Sequence, residues 1–280
     1  MTKDNARQRH LEQFGEKFER VEDFIAATTS RKRPNTYLYR LAIHQYETAR
    51  MCWFDGEDTE SAEELLLAAL ATCDRYKGRR RQIRLLRIDV LEALAFIYNH
   101  LERFEDSEKT ILSQLAAERA LAAENAEAYA TNTALTLWRL GNLYAYVHRD
   151  KEAEKAYLEA LGTIEQRRRS DNEDIYRYSP ATAQCHRSLG SLYLARLNDP
   201  DAALRHYSEA VRISEELCEN EHERYNHLRG LAESLRLLAE LYERTGQKES
   251  AQPLVKRAKM LEAEIEMPLP FDMPAEGAES

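Results

Sequence analysis

The side chains with which this chain could make or break bonds are its four cysteines, eight histidines and a surplus of carboxylates. Their spacing gives them little to work with. His222 and His227 stand five apart, which puts them on different faces of a helix. Glu223 with His227 has the i, i+4 spacing of a ligand pair, but one pair supplies only two of the three or four ligands a zinc site needs. Cys185 and His186 are adjacent, and His186 falls on an inward helical register, so a buried structural part is expected of it rather than ligation. Cys52, Cys73, Cys185 and Cys218 are widely separated with no CxxC pair, which reads as reduced thiols rather than a disulfide framework. Phosphate loops, dinucleotide-binding glycine motifs and nucleophile elbows are missing from the sequence. The expectation is a protein without a catalytic site, metal or cofactor, and not an enzyme.

Composition points to what would replace chemistry. Of 280 residues 32% are charged and 43% hydrophobic, with nine glycines and seven prolines. That balance suits long amphipathic helices and leaves little material for sheets. The net charge of −9 argues against a general polyanion binder, although a local basic patch could still act. The opening residues Met-Thr-Lys-Asp-Asn-Ala-Arg-Gln-Arg-His lack the apolar core of a secretory signal. No apolar run approaches the roughly 18 residues that span a bilayer. A soluble, cytoplasmic protein with no membrane partner is expected.

Apolar periodicity supplies the elements. From about Asp4 to Ala27, Leu11, Phe14, Phe18, Val21 and Ile25 recur at steps of three and four, giving an amphipathic helix. With the basic loop Arg31-Lys32-Arg33 it forms an N-terminal region, 1–34, either capping the helical array or self-associating through Phe14 and Phe18. A motif stands out further along: Leu137, Leu140, Gly141 and Tyr144 on one predicted helix, Ala153, Tyr157 and Ala160 on the next. Copies align on Tyr46, Tyr98, Tyr144, Tyr193 and Tyr242, spaced 52, 46, 49 and 49 residues apart. The second-helix trios are Ala62/Leu66/Ala69, Ser107/Ile111/Gln114, Ala153/Tyr157/Ala160, Ala203/Tyr207/Ala210 and Ala251/Val255/Ala258. The first copy reads as degenerate, with an enlarged loop around Phe54-Asp55-Gly56. Ser179-Pro180 and Asp199-Pro200 read as helix starts, and Gly78 and Gly246 as stops. Residues 267–280, proline-rich and then acidic, are expected to be a disordered tail.

This pattern resembles the tetratricopeptide repeat (TPR), in which a small residue lets two antiparallel helices touch and a tyrosine fills the seam. The likeness covers roughly Asn35 to Ile265. It lacks the proline that usually ends each second helix, and so is closer to long-helix variants resembling kinesin light chains or bacterial peptide-sensing regulators. The resemblance implies an all-α, right-handed α-solenoid of about five hairpins over 35–266, with an N-terminal capping helix. It implies a non-catalytic protein–protein interaction module that binds a peptide or protein segment in its concave groove.

In such stacks the first helix of each hairpin lines that groove. The matching stripe here is Tyr37, Arg40 and His44; Glu92, Phe96 and Asn99; Trp138 and Asn142; Arg187 and Ser191; Arg236 and Glu240. Arginine can hold a carboxylate, amides can bond a peptide backbone and rings give apolar anchors. Trp138 has a second reading, as packing against the next hairpin. The carboxylate clamp of chaperone-binding members does not transfer, because Glu233 and Leu237 stand where it needs bases. Seven basic residues between Arg75 and Arg87 suggest a second surface. Helix-dipole physics favours bases at helix ends and does not explain Arg79, Arg80 and Arg81 at a helix start, with Arg84 one turn on. That basic edge gives the alternative, an adaptor for an acidic protein or RNA, although the net charge disfavours nucleic acid. A homo-oligomeric scaffold built through the N-terminal helix is the third reading.

Overall fold

A computed structural model of the chain describes residues 34–56, 58–78, 80–170, 175–219 and 224–266. Among these there are ten α-helices and no strand: α1 Pro34–Gly56, α2 Thr59–Arg75, α3 Arg81–His100, α4 Phe104–Ala122, α5 Ala126–Tyr146, α6 Asp150–Ser170, α7 Ile175–Leu192, α8 Pro200–Cys218, α9 Arg224–Arg244 and α10 Lys248–Glu266. A π-helical turn, Tyr193–Leu197, extends α7. The N-terminal amphipathic segment, the Arg31–Arg33 loop and the 267–280 tail lie outside the described residues.

The helices form two compact units, residues 1–118 and 119–280, with the division inside α4. In the first, α1 packs on α2, α2 on α3, and α1 also meets α3. Its core gathers Ala42, Ala49, Leu66, Ala69, Val90 and Leu94. In the second, α5–α6, α7–α8 and α9–α10 are hairpins, and α7 contacts both α5 and α9. Each first helix therefore buries one flank on its own second helix and another on the neighbouring first helix, which is the TPR-like fold. Small residues permit it: Ala62, Ala69, Ala153, Ala160, Ala203 and Ala210 are fully enclosed, so backbones approach closely. Each fully buried leucine, such as Leu66, Leu189 or Leu235, contributes about 1.5–3 kcal/mol against exposure.

The glycines mark the tightest contacts. A Cβ on Gly141 would stand 2.5 Å from Tyr157 Cε1, and one on Gly190 would stand 2.5 Å from Tyr207 Cδ1. The ring filling each glycine notch thus comes from the second helix. The aligned first-helix tyrosines do something else. Arg103 N–H donates to the Tyr98 carbonyl at 2.8 Å, Arg149 N–H to Tyr144 at 2.8 Å and Gln247 N–H to Tyr242 at 2.7 Å. The preceding residue is left-handed each time: Glu102 (φ 56°), His148 (φ 62°) and Gly246 (φ 81°). The Arg103 and Arg149 guanidinium groups then fold back over the Tyr98 and Tyr144 rings, at 4.5 and 4.3 Å.

Three features depart from expectation. First, Phe54–Gly56 is not an enlarged loop, because α1 runs through Gly56 and Asp58 caps α2 by accepting from Ser61 N–H at 3.2 Å. Asp58 N–H donates to the Cys52 carbonyl at 3.0 Å, as Asp199 N–H does to Tyr193, and Gln45, Thr48, Ala49 and Cys52 are buried as Leu91, Leu94, Ala95 and Tyr98 are, so Cys52 rather than Tyr46 holds the first repeat's seam position. Second, Pro180 lies inside α7, which starts at Ile175, rather than opening it. The loss is one backbone bond near the helix start. Third, Tyr193 and Ala203 are ten apart, one more than in the second, third and fifth hairpins, and the π turn absorbs the extra residue before left-handed Asn198 (φ 51°). Asp199 then caps α8 by accepting from Ala202 N–H at 2.9 Å, with Pro200 opening the helix.

Candidate functional site

Within the second unit, the residues expected to line a groove bond to neighbouring helices. Trp138 on α5 is half-buried and donates from Nε1 to Ser188 Oγ on α7 at 2.9 Å. Arg187 on α7, with only 11% of its side chain exposed, donates to Ser234 Oγ on α9 at 3.3 Å and lies 3.3 Å from Glu233. Its burial lowers the guanidinium pKa, and Glu233 opposes that. Asn142 Oδ1 accepts from the Tyr157 hydroxyl at 2.7 Å, and Ser191 Oγ shares a bond with the Tyr207 hydroxyl at 2.9 Å. Arg236 is exposed and reaches Glu262 on α10, with a shortest separation of 2.7 Å. These five side chains join helix to helix.

The first unit presents a different face. Phe96 on α3 is 58% exposed, and its ring meets that of Trp53 on α1 edge-on at 5.7 Å. Trp53 in turn meets His100 edge-on at 4.9 Å. Met51 on α1 is 49% exposed. Phe54, three residues further along α1, is 68% exposed. Asn99 and Arg40 are exposed and His44 is half-buried. Two turns earlier on each helix the character changes from aromatic to charged. Tyr46, Arg50, Asp89 and Glu92 lie within one electrostatic neighbourhood, and Arg50 is held by Glu47 at 3.3 Å. Asp89 is an exposed residue whose carboxyl is nonetheless pushed up to about 6, first by desolvation and then by Glu92, with Arg50 opposing.

Trp53, Met51, Glu47 and Asp89 were not among the residues singled out from sequence.

On the basic edge, Arg79 lies outside the described residues. Arg80 is exposed at the N-cap of α3 without making a side-chain cap bond, Arg81 is the first exposed residue of the helix, and Arg84 is half-buried. Further along, Arg87 pairs with Asp74 at 2.8 Å.

The residues considered for bond chemistry are arranged otherwise. All four cysteines are free and buried, and burial pushes the Cys73 and Cys185 thiols up to about 12, the opposite of a nucleophile's need. His186 Nδ1 lies 2.9 Å from His206 Nδ1 on α8, so one proton serves both rings. Tyr193 stacks on His206 at 5.4 Å, and its hydroxyl donates to Glu154 on α6. His222 and Glu223 lie outside the described residues. Among those described, no three His, Cys, Asp or Glu side chains are grouped to hold a metal ion, and no helix is long and apolar enough to cross a membrane.

Comparison with known proteins agrees with this architecture. A family model described as tetratricopeptide repeat matches residues 182–224. The structure of BtubC (BKLC) from P. vanneervenii is similar over 98% of this chain and 97% of its own, at 22% identity and a TM-score of 0.67. The nearly identical TPR-like repeats of a Podosopora anserina putative kinesin light chain are similar over 82% of this chain and 99% of theirs, at 16% identity and TM-score 0.57. Aspartyl phosphate phosphatase F from Bacillus subtilis is similar over 95% of this chain and 75% of its own, at 12% identity and TM-score 0.51. At these identities the likeness is one of fold. A search of curated proteins returned no match. The repeats are therefore TPR-like, with kinesin-light-chain-type repeats among their structural neighbours.

Proposed function

We propose that this chain is a non-catalytic, cytoplasmic interaction module, which captures a peptide or protein segment on the first-helix face of its hairpins. The observation that carries this reading is exposed Phe96 on α3, edge-on to half-buried Trp53 on α1. An aromatic pair on neighbouring first helices, left partly in water, offers the anchoring surface that peptide grooves use. The patch belongs to α1 and α3, so it does not depend on the second unit. Thiols buried and raised in pKa accord with a structural rather than catalytic use of cysteine.

The test is site-specific photo-crosslinking. A photoreactive residue at position 96 should give discrete protein adducts, whereas one at Leu112, an exposed apolar residue on second helix α4, should not. Equal adducts at both sites, or none at 96, would reject the reading.

A second reading rests on α3, whose start carries Arg80 and Arg81 and no acid in its first turn. Cations are unfavourable there, and an acidic partner or RNA would offset that. Arg80→Glu with Arg81→Glu should then remove a salt-sensitive interaction.

A further inference from the structure

The exposed patch of the first unit has an electrical neighbour that narrows what it would hold. Trp53 and Phe96 are in contact across α1 and α3. Seven residues earlier on each helix stand Tyr46 and Asp89, which share one electrostatic neighbourhood with Glu92 and Glu47. An equal advance on both helices keeps the two clusters in register. At 1.5 Å per residue they are about 10 Å apart. One end of the face is aromatic, and the other sets the carboxylates of Glu47, Asp89 and Glu92 against the guanidinium of Arg50, itself held by Glu47. The cations of α3 lie toward its start, and Arg87 is paired with Asp74 on the neighbouring helix.

We infer that the α1–α3 face binds a basic segment whose lysine or arginine stands about 10 Å from an apolar or aromatic anchor. This rests on the interaction reading and adds the partner's charge and spacing. The cation would meet Asp89 and Glu92 while the anchor covers Phe96 and Trp53. That distance is about three positions in an extended segment or seven in a helix. A cation beside Asp89 also relieves the like-charge strain that Glu92 imposes on it.

The experiment is selection of a displayed random dodecapeptide library on the full-length chain. The recovered peptides are then titrated by anisotropy against wild type, Asp89→Asn/Glu92→Gln and Phe96→Ala, each checked for helicity by circular dichroism. Enrichment of peptides pairing Lys or Arg with an aromatic at this spacing is expected. Their affinity should fall about tenfold or more in either variant and weaken in added salt. Recovery of acidic peptides that still need Phe96 overturns the charge inference and leaves the interaction reading standing. Basic peptides indifferent to Asp89→Asn/Glu92→Gln overturn it equally. Peptides indifferent to Phe96→Ala, or no enrichment, overturn both.

Discussion

Equivalent positions on the first helices do opposite work in the two units. In the second unit Trp138 and Arg187 each bond to the next first helix, and Asn142 and Ser191 each hold the hydroxyl of a tyrosine that fills a glycine notch. In the first unit the counterpart of Asn142 on α3 is Phe96, with about half its surface in water. The seam beneath differs too. Gly141 and Gly190 receive Tyr157 and Tyr207, whereas the aligned positions of the first unit carry Ala95 and the smaller Ile111, with Ser107 donating to the Ala95 carbonyl at 3.3 Å. A polar side chain at this position serves the stack when an aromatic hydroxyl or a neighbouring helix is there to bond it. Where an aliphatic residue fills the seam, the position is released to the surface. One repeat architecture thus yields a face that is used up internally and a face that is offered.

The largest test of this contrast is to make the second unit's seam resemble the first. Gly190→Ala forces a Cβ to within 2.5 Å of the Tyr207 ring and should cost about 2–3 kcal/mol, read as a lower thermal midpoint. Adding Tyr207→Ile, the first unit's combination, should restore about 1 kcal/mol or more. A Gly190→Ala protein as stable as wild type would break the comparison.

A smaller effect concerns acid. Burial, then the facing imidazole, lowers His186 to about 4, and burial also lowers His206. The unfolded chain takes up protons near 6.5 that the folded one refuses. The stability tied to this pair is therefore present above about 6.5 and lost as pH falls toward 4. Position 137 carries leucine in the preceding hairpin, and His186→Leu should flatten midpoint against pH across that window. An unchanged slope would mean that the pair has no part in acid sensitivity.

The smallest effect sharpens the faces themselves. Arg187→Ala should cost about 1 kcal/mol, because a largely buried hydrogen-bonding group is lost. Phe96→Ala should stay within about 0.5 kcal/mol, as a surface change does. If Phe96→Ala is the costlier, Phe96 is core and the offered face does not exist.

The hairpins, their second-helix trios and the cap at Asp199 were legible from sequence because each has a local cause: a period of three to four, a small residue under a large one, an oxygen before a free N–H. The register of α1 was not legible in the same way, since Thr48 and Cys52 stand where the other copies carry a leucine and a tyrosine. Exposure at Phe96 against engagement at Trp138 was also hidden. Both are aromatic residues on first helices, and what separates them is Ser188, fifty residues from Trp138 along the chain and 2.9 Å from its indole nitrogen. The pairing of His186 with His206 likewise depends on the second helix of the hairpin, not on the neighbouring Cys185.

The π turn after α7 carries a lesson about length. One surplus residue between Tyr193 and Ala203 is taken up where the helix ends, and Ala203 still reaches full burial. Such a joint acts as a slack loop in a frame. An insertion or deletion arriving there changes the count without rotating the next helix, so gene-level errors in length need not propagate down the array.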